Sequence, residues 1–527
     1  MIKTLGVMLD CSRNAVMSVD AVKKYASIIK RMGYNTLMLY TEDTYEVDNN
    51  PFFGHQRGKY SKSELKEIDT YCTSLGIELI PCIQTLAHLN CMFKWVDEYD
   101  DIRDCDDILL VGDDRVYALI ESMISSLSSC FKSRKIHIGM DEAYNVGLGK
   151  YRKKHGIRER FDIINEHLHK VCEICEKYGF KPMIWSDMFC KLAAGTDDYY
   201  KEVDTEDIRA KANLPENISL VYWDYYSKDY NHYVNMININ KAFGREVYFA
   251  GGAWTWRGFA PDNKFSIETT APAVKACIDC GIENIFFTVW GDDGSECSYF
   301  SVLPSLMFAA EAARGNTDVE DIKIKFKSIT GCDFDSFMML DLMDMPGGKH
   351  NGNPSKYIFY NDLFSGILDY CCSQTDNSYY QNLSQKLKFA EGTGEFAYIF
   401  EAMSALADVL AIKSDLGLRI RREYKNNNKD GLKAAVIDCD KICKKIRRFY
   451  SCFKILWFKE NKPYGFDIQD IRIGGLIFRI ESCKERLDEY LSGNIKSIPE
   501  LEEPMLECNT YKTWGGIVSP NVISHIV

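Results

Sequence analysis

Residues 135–142 read Lys-Ile-His-Ile-Gly-Met-Asp-Glu, a short apolar run that ends in two adjacent carboxylates. The run predicts a buried strand on which His137, Gly139 and Asp141 share one face. Glu142 leaves the C-terminal end of that strand in a different direction, so two neighbouring acids can address two different atoms of one ligand. Acid pairs are also common in solvated turns. This one follows a buried strand in a repeating strand–helix pattern, which favours a functional site.

Seven other apolar runs have the length of strands and alternate with amphipathic helical patterns. The eight predicted strands cover residues 5–10, 35–41, 77–84, 135–141, 181–187, 218–225, 246–254 and 284–292. Eight strand–helix units over about 300 residues match a closed (β/α)8 barrel of the α/β class. A doubly wound open sheet is the alternative, but the first strand–helix turn lacks Gly-x-Gly-x-x-Gly and no strand clearly belongs at an edge.

The second part of the chain has a different character. Strand signals vanish after residue 318, and the remaining segments carry helical periodicity with charged outer faces. We therefore predict a (β/α)8 TIM-type barrel over residues 1–318, followed by an all-α helical domain over residues 319–527. A Gly- and Pro-rich loop over residues 345–354 is long enough to reach back over the barrel mouth.

Composition excludes several classes of partner. Lys and Arg number 64 against 76 Asp and Glu, a net charge of −12, which argues against nucleic acid and anionic membranes as partners. No apolar run approaches the roughly 20 residues that span a bilayer, and the N-terminus enters a strand without a cleavable signal pattern. A reducing cytoplasm is the expected location of a chain with 20 cysteines.

We predict no metal and no cofactor. The closely spaced cysteines, such as Cys172 and Cys175, lack a second pair or a histidine at ligand spacing and are expected to be buried thiols. The oligomeric state stays open, with a homodimer as one possibility.

The C-terminal ends of barrel strands are where ligands bind, and this chain concentrates polar and aromatic residues there. Four consecutive strands end near a tryptophan: Trp185, Trp223, Trp254 and Trp290. Four such rings on one rim indicate a pocket with aromatic walls. Rings that stack on the faces of a sugar, with carboxylates and a guanidinium that take its hydroxyls, predict a carbohydrate ligand.

The spacing of the two acids bears on the reaction. Ordinary retaining glycosidases hold their two carboxyl groups about 5–5.5 Å apart across the bond that breaks. Sequence neighbours are poorly placed to do this. They suit a site in which Glu142 serves the glycosidic oxygen while Asp141 serves a substituent at C2 of the sugar.

The His-x-Gly-x-Asp-Glu run resembles the signature of the family-20 glycoside hydrolases, the β-N-acetylhexosaminidases, and the likeness spans the whole predicted barrel. Further motifs of that family are matched by Asp10 with Arg13, by His88, by Trp185 with Asp187, and by Trp290 with Asp292. The helical C-terminal part is similar to that of a bacterial subgroup of exo-acting members. The small N-terminal domain that commonly precedes this barrel is expected to be absent here.

Two departures from the family pattern concern the site. Asp292 stands where the family has a glutamate, so either Asp292 or Glu296 is expected to bind sugar hydroxyls. Met140 stands where most members have a second glycine. Neither departure removes a catalytic group.

The resemblance implies a retaining exo-hydrolase in which the acetamide of the substrate attacks C1 and forms an oxazolinium ion. Asp141 would orient the acetamide, and Glu142 would act as acid and then as base. The implied substrate-binding residues are Arg13, His88, Trp185, Asp187, Tyr225, Trp254, Trp290, Asp292 and Glu296, with Tyr225 the candidate for the acetamide oxygen.

Asp10 and His137 are expected behind these residues as supports, and an ordinary core histidine is an equally good interpretation of His88 and His137. Three other functions stay open. They are a retaining glycosidase with a protein nucleophile, a metal-assisted hydrolase, and a carbohydrate-binding barrel without catalysis. The choice between GlcNAc and GalNAc also stays open.

Overall fold

The protein is described here by a computed structural model that covers residues 2–195, 198–201, 206, 214–292, 294–346, 354–369, 372 and 377–505. Eight parallel strands form a closed barrel, which confirms the predicted fold. In chain order, β1 to β8 are Thr4–Asp10, Thr36–Thr41, Glu78–Ile83, Lys135–His137, Lys181–Trp185, Ser219–Trp223, Glu246–Gly252 and Asn284–Val289. Each strand pairs with its neighbours in the chain, and β1 pairs with β8 to close the barrel.

Helices cover the outside of the barrel, and all but the last of those below carry the chain from one strand to the next. The longer ones are Val19–Met32, Lys62–Ser74, Asp114–Ser128, Arg160–Lys177, Tyr230–Ala242, Asn263–Asp279 and Leu303–Ala312. The first of them shows how the sequence sets these bounds. The Ser18 side chain accepts from the Ala21 N–H at its start, and Gly33, with φ +98°, ends it in the left-handed region.

The strands are buried on both faces. One set of side chains packs against the surrounding helices, and a second set fills the barrel interior, where Met8, Tyr40, Met183, Trp185 and Phe286 form part of one cluster. This filling closes the barrel below its C-terminal rim, so the space that the barrel strands offer a ligand lies at the rim.

Strand β4 is shorter than predicted. It ends at His137, because Gly139, Met140 and Glu142 adopt φ values of +73°, +70° and +51°, which belong to the left-handed region and not to a strand. The expectation that alternation along the strand places Asp141 on the face of His137 is therefore wrong. A tight, irregular turn places both acids.

A helical region follows the barrel, as predicted. Its main helices are Val319–Thr330, Phe334–Met338, Pro354–Tyr360, Asn377–Lys388, Ala397–Lys425, Lys429–Glu460 and Phe466–Ser492. The connection between the last two helices contacts the barrel directly, since the Lys462 N–H donates to Val16 O at 2.8 Å. In the predicted loop over 345–354, residues 347–353 lie outside the described residues.

Within the described residues, no helix is both long enough and apolar enough to cross a membrane.

Candidate active site

A pocket opens at the C-terminal rim of the barrel. Its lining residues are Arg13, His88, Asp141, Glu142, Trp223, Tyr225, Tyr226, Trp256, Trp290 and Asp292. They follow six different strands, so the barrel closure itself brings them together. The mixture of rings, acids and one guanidinium is the combination expected of a carbohydrate pocket.

His88 lies between the two neighbouring acids. Its Nε2 is 3.3 Å from Asp141 Oδ2 and 3.7 Å from Glu142 Oε2. Burial alone would lower the pKa of His88, but the Asp141 carboxylate raises it to about 10, so the imidazole is a cation at neutral pH. The same ion pair lowers the pKa of Asp141 against the effect of its burial. Asp141 is therefore a carboxylate when substrate arrives.

The second oxygen of Asp141 is held by Gln84, which lies just beyond the end of β3. Gln84 Nε2 donates to Asp141 Oδ1 at 2.7 Å and to the Tyr40 hydroxyl at 2.8 Å, while its Oε1 accepts from the Met140 N–H at 3.1 Å. One buried amide thus supports both the acid and the left-handed turn. A Cβ on Gly139 would lie 2.0 Å from Gln84 Oε1, so this turn needs glycine at that position.

Glu142 is the more accessible of the two acids, with 41% of its side chain exposed. Its backbone N–H donates to Asp187 Oδ2 at 3.1 Å, and the Tyr144 hydroxyl donates to its Oε1 at 3.1 Å. Asp141 and Glu142 thus have different surroundings. The buried acid is paired with a cation, and the exposed acid faces the open side of the pocket.

Arg13 enters the pocket from the end of β1. Its Nη1 is 3.3 Å from Glu42 Oε1 and 3.5 Å from Asp10 Oδ2, and its guanidinium lies 5.5 Å from the ring centre of Trp290. Burial raises the pKa of Glu42 to about 7, although the Arg13 charge opposes the shift. The contacts with Glu42, Asp10 and Trp290 fix the orientation of the Arg13 side chain. Part of its guanidinium borders the pocket.

The aromatic wall differs in part from the predicted one. Tyr225 stacks on Trp223 with ring centres 5.3 Å apart, and the Trp290 Nε1 donates to the Tyr225 hydroxyl at 3.2 Å. Trp254 was expected in this wall, but it is buried behind Trp256, whose ring stacks on it at 4.3 Å. Strand β7 ends at Gly252, so strand alternation no longer governs which of these two rings faces the pocket.

Trp185 is also set back from the lining residues. Its ring is 1% exposed and lies 6.2 Å from the ring centre of Trp290 and 4.4 Å from that of His137. It belongs to the cluster that fills the barrel interior and lies next to the pocket wall, instead of forming that wall.

Asp292 and Glu296 have opposite surroundings. Asp292 borders the pocket, where burial raises its pKa to about 6 even though Arg13 opposes the shift. Glu296 is 2% exposed and pairs with Arg472 at 2.8 Å and Lys356 at 2.7 Å. Glu296 therefore does not face the pocket, and Asp292 is the acid of this rim that a sugar can reach.

Three predicted residues lie behind the lining. Asp10 accepts from the Gly291 N–H at 2.9 Å and so joins the ends of β1 and β8. Asp187 is fully buried, and its burial, followed by the charge of Asp141, raises its pKa to about 7. His137 is also fully buried, which lowers its pKa to about 3. A neutral core histidine is the interpretation that this environment favours.

Several residues of the site were not selected from the sequence. Tyr226 and Trp256 line the pocket, while Gln84, Glu42 and Tyr144 hold the lining residues in place. Tyr226, Trp256 and Glu42 follow predicted strands, so their position at the rim was a usable signal. Gln84 and Tyr144 act through contacts that no spacing rule indicates.

Within the parts of the chain that the structure describes, no three His, Cys, Asp or Glu side chains come together as a metal site.

A closed (β/α)8 barrel whose rim holds paired acids among aromatic rings is the architecture of a glycoside hydrolase. The sequence profile described as "Glycosyl hydrolase family 20, catalytic domain" matches residues 5–270. The profile described as "Glycoside Hydrolase 20C C-terminal domain" matches residues 335–517. The chain belongs to glycoside hydrolase family 20.

Curated relatives are distant, and the matches to the first two cover less than half of this chain. Hexosaminidase D of Homo sapiens is 23% identical over 222 residues, which cover 40% of this chain and 43% of that protein. Hexosaminidase D of Bos taurus is 24% identical over 242 residues, which cover 44% of this chain and 64% of that protein. The chain thus spans about half the length of the curated relatives that it matches.

Among solved structures, a chitobiase of Flavobacterium johnsoniae has a TM-score of 0.48 at 15% identity, covering 95% of this chain and 74% of the other. An exo β-N-acetylglucosaminidase from Vibrio harveyi, in complex with N-acetylglucosamine, has a TM-score of 0.47 at 15% identity, covering 64% of this chain and 58% of the other.

Proposed function

We propose that this protein is an exo-acting β-N-acetylhexosaminidase that releases terminal β-linked GlcNAc, GalNAc or both with retention of configuration. The observation that carries the proposal is the pair Asp141 and Glu142, whose carboxylates lie 3.3 and 3.7 Å from one nitrogen of His88 at the pocket. Adjacent acids on one side of a pocket suit a reaction whose nucleophile comes from the substrate.

The acetamide oxygen of the bound sugar attacks C1, and the bond from C1 to the leaving oxygen breaks. Asp141, a carboxylate paired with the His88 cation, accepts from the acetamide N–H and stabilises the positive charge of the oxazolinium ion. Glu142 gives its proton to the leaving oxygen and later takes one from the water that opens the ring. General acid–base help of this kind contributes roughly 10²–10⁴-fold.

The remaining pocket residues bind the sugar. Arg13 and Asp292 take ring hydroxyls, and the rings of Trp290, Trp256 and Trp223 enclose its apolar faces. Tyr225 is the candidate donor to the acetamide oxygen, because its hydroxyl lies in the pocket wall beside Trp290. A pocket that is closed below by the filled barrel suits the end of a glycan chain.

The test compares aryl-GlcNAc and aryl-GalNAc substrates with the wild-type protein and with Asp141→Ala. We expect turnover of at least one substrate by the wild type and a loss of roughly 10²-fold or more in kcat for the variant. Hydrolysis that Asp141→Ala leaves intact would contradict acetamide participation. Absence of turnover on both substrates would contradict the function itself.

An oxazoline-mimicking thiazoline gives an independent measurement. Because it resembles the intermediate, we expect it to inhibit far more tightly than the sugar product binds. An aryl glycoside with a plain 2-hydroxyl is expected to be nearly inert. Equal turnover of the 2-acetamido and 2-hydroxy substrates would instead favour a protein nucleophile.

A further inference from the structure

Tyr144 holds the oxygen of Glu142 that does not face His88. The Tyr144 hydroxyl donates to Glu142 Oε1 at 3.1 Å, whereas Oε2 lies 3.7 Å from His88 Nε2. A carboxyl group that transfers a proton must present one oxygen at a defined angle. A hydrogen bond to the other oxygen fixes the plane of the group and so sets that angle.

Lys191 determines which way the hydroxyl of Tyr144 points. Its Nζ lies 4.3 Å from the ring centre and donates to the hydroxyl oxygen at 2.9 Å. An ammonium group has donors only, so the hydroxyl must accept from Lys191. Its single proton is then left for Glu142.

The backbone of Tyr144 is fixed separately from its hydroxyl. Its N–H donates to Glu142 O at 2.7 Å, and its carbonyl accepts from Arg160 Nη1 at 2.7 Å. The ring is 40% exposed and lines a second cavity together with Lys191 and Arg160. We therefore expect removal of the hydroxyl to leave the backbone at Tyr144 and the packing of the core unchanged.

We propose that Tyr144 is a positioning residue for Glu142, with Lys191 directing its hydroxyl proton to Oε1. The assignment rests on the proposed function, because it takes Glu142 as the group that exchanges a proton with the glycosidic oxygen.

The bond acts on the first step of the reaction. As the C1–O bond breaks, the proton moves from Glu142 Oε2 to the leaving oxygen, which keeps the bonding electron pair, while the acetamide oxygen forms the new bond to C1. Glu142 becomes a carboxylate, and the bond from Tyr144 becomes charge-assisted and stronger. Tyr144 keeps its own proton throughout. This strengthening of the hydrogen bond from Tyr144 matters most for substrates whose leaving group needs the proton.

The experiment uses Tyr144→Phe in the full chain, with an alkyl and a nitrophenyl N-acetylhexosaminide as substrates. We expect kcat for the alkyl substrate to fall at least about tenfold with KM unchanged, since a hydrogen bond to a charged group is lost. For the nitrophenyl substrate we expect kcat to stay within about twofold, because this leaving group departs without a proton. The matched control is Tyr230→Phe, with both rates unchanged, because the Tyr230 hydroxyl also donates to a carboxylate, Asp279 Oδ2 at 2.7 Å, and Tyr230 is not among the residues that line the pocket.

Lys191→Met tests the second part of the assignment, since a methionine keeps the contact with the ring and removes the donor. We expect a smaller loss with the same preference for the alkyl substrate. Equal losses on both substrates, or no loss on either, would overturn the role of Tyr144 while leaving the proposed function in place. A wild-type protein that hydrolyses no N-acetylhexosaminide would overturn both.

Discussion

The pocket has acids on two of its sides, and the two sides are held in different ways. At the end of β4, Asp141 and Glu142 are placed by a left-handed turn and by Gln84, which lie within the barrel. At the end of β8, the loop that follows Asp292 is held by the helical region, because Arg472 of the helix Phe466–Ser492 forms an ion pair with Glu296 of that loop. The acid pair therefore depends on local backbone geometry, whereas the β8 side depends on the helical region.

Because of this difference, we expect substitutions of Glu142 to affect catalysis and substitutions in the pair of Glu296 and Arg472 to affect stability. Glu142 is partly exposed and forms no part of the core, so its replacement should change the reaction alone. The side chains of Glu296 and Arg472 are each 1% exposed, so breaking this ion pair should mainly lower the free energy of unfolding. Four variants test the distinction, in order of decreasing expected effect.

Glu142→Gln should have the largest effect. Without a proton to give, the variant should lose roughly 10²–10⁴-fold in kcat on an alkyl glycoside and much less on a nitrophenyl glycoside. Its free energy of unfolding in urea should stay within about 0.5 kcal/mol of the wild type, as for other exposed positions. Equal losses on the two substrates would contradict its assignment as the acid.

Arg472→Met should act on stability. The change leaves a buried carboxylate with one of its two cations, so we expect a loss of about 3–5 kcal/mol in the free energy of unfolding. The matched control is Arg447→Met, which breaks an exposed pair with Glu481 and should cost about 0–1 kcal/mol. Similar losses for the two variants would show that the β8 side does not depend on this buried pair.

The same contrast explains what could be predicted from the sequence. The acid pair was predictable because its residues are neighbours in a local motif, and barrel closure brings strand ends together whatever lies between them. The choice between Asp292 and Glu296 was not predictable, because Arg472 lies 176 residues further along the chain than Glu296. No periodicity indicates which distant helix pairs with which loop.

The errors near β4 and β7 have a shared cause. Strand alternation was extended past the last residue of each strand, to Asp141 in one case and to Trp254 in the other. Met140 has φ +70°, a backbone conformation that few residues other than glycine adopt. A pattern of apolar residues does not indicate such a conformation. Beyond the strand ends, the backbone and not the alternation decides which side chains face the ligand.

Gln84→Leu tests the support of the β4 side from within the barrel. The variant leaves the Met140 N–H and Asp141 Oδ1 without their partner, and unpaired buried groups cost about 1–3 kcal/mol. We expect a loss of that size in the free energy of unfolding and a fall in kcat of at least about tenfold, because Asp141 is no longer held. A fall in stability with kcat unchanged would show that Gln84 supports the turn but not the acid.

Asp292→Asn should have the smallest effect, and its signature is a pH dependence. Because burial holds the pKa of Asp292 at about 6, its charge is present above that pH and is lost as the pH falls. Hydrogen bonds from sugar hydroxyls to a carboxylate are stronger than those to a neutral acid. For the wild type we therefore expect KM to rise about fivefold between pH 7.5 and pH 5, equivalent to about 1 kcal/mol.

In Asp292→Asn, KM should already be high at pH 7.5 and should change little on acidification, because the amide does not titrate in this range. Other pocket groups, including Glu42 with its pKa of about 7, titrate in both proteins and cancel in the comparison. The same slope of KM against pH in wild type and variant would assign the dependence to those groups. The β8 side would then serve the pocket through its shape and not through the charge of its acid.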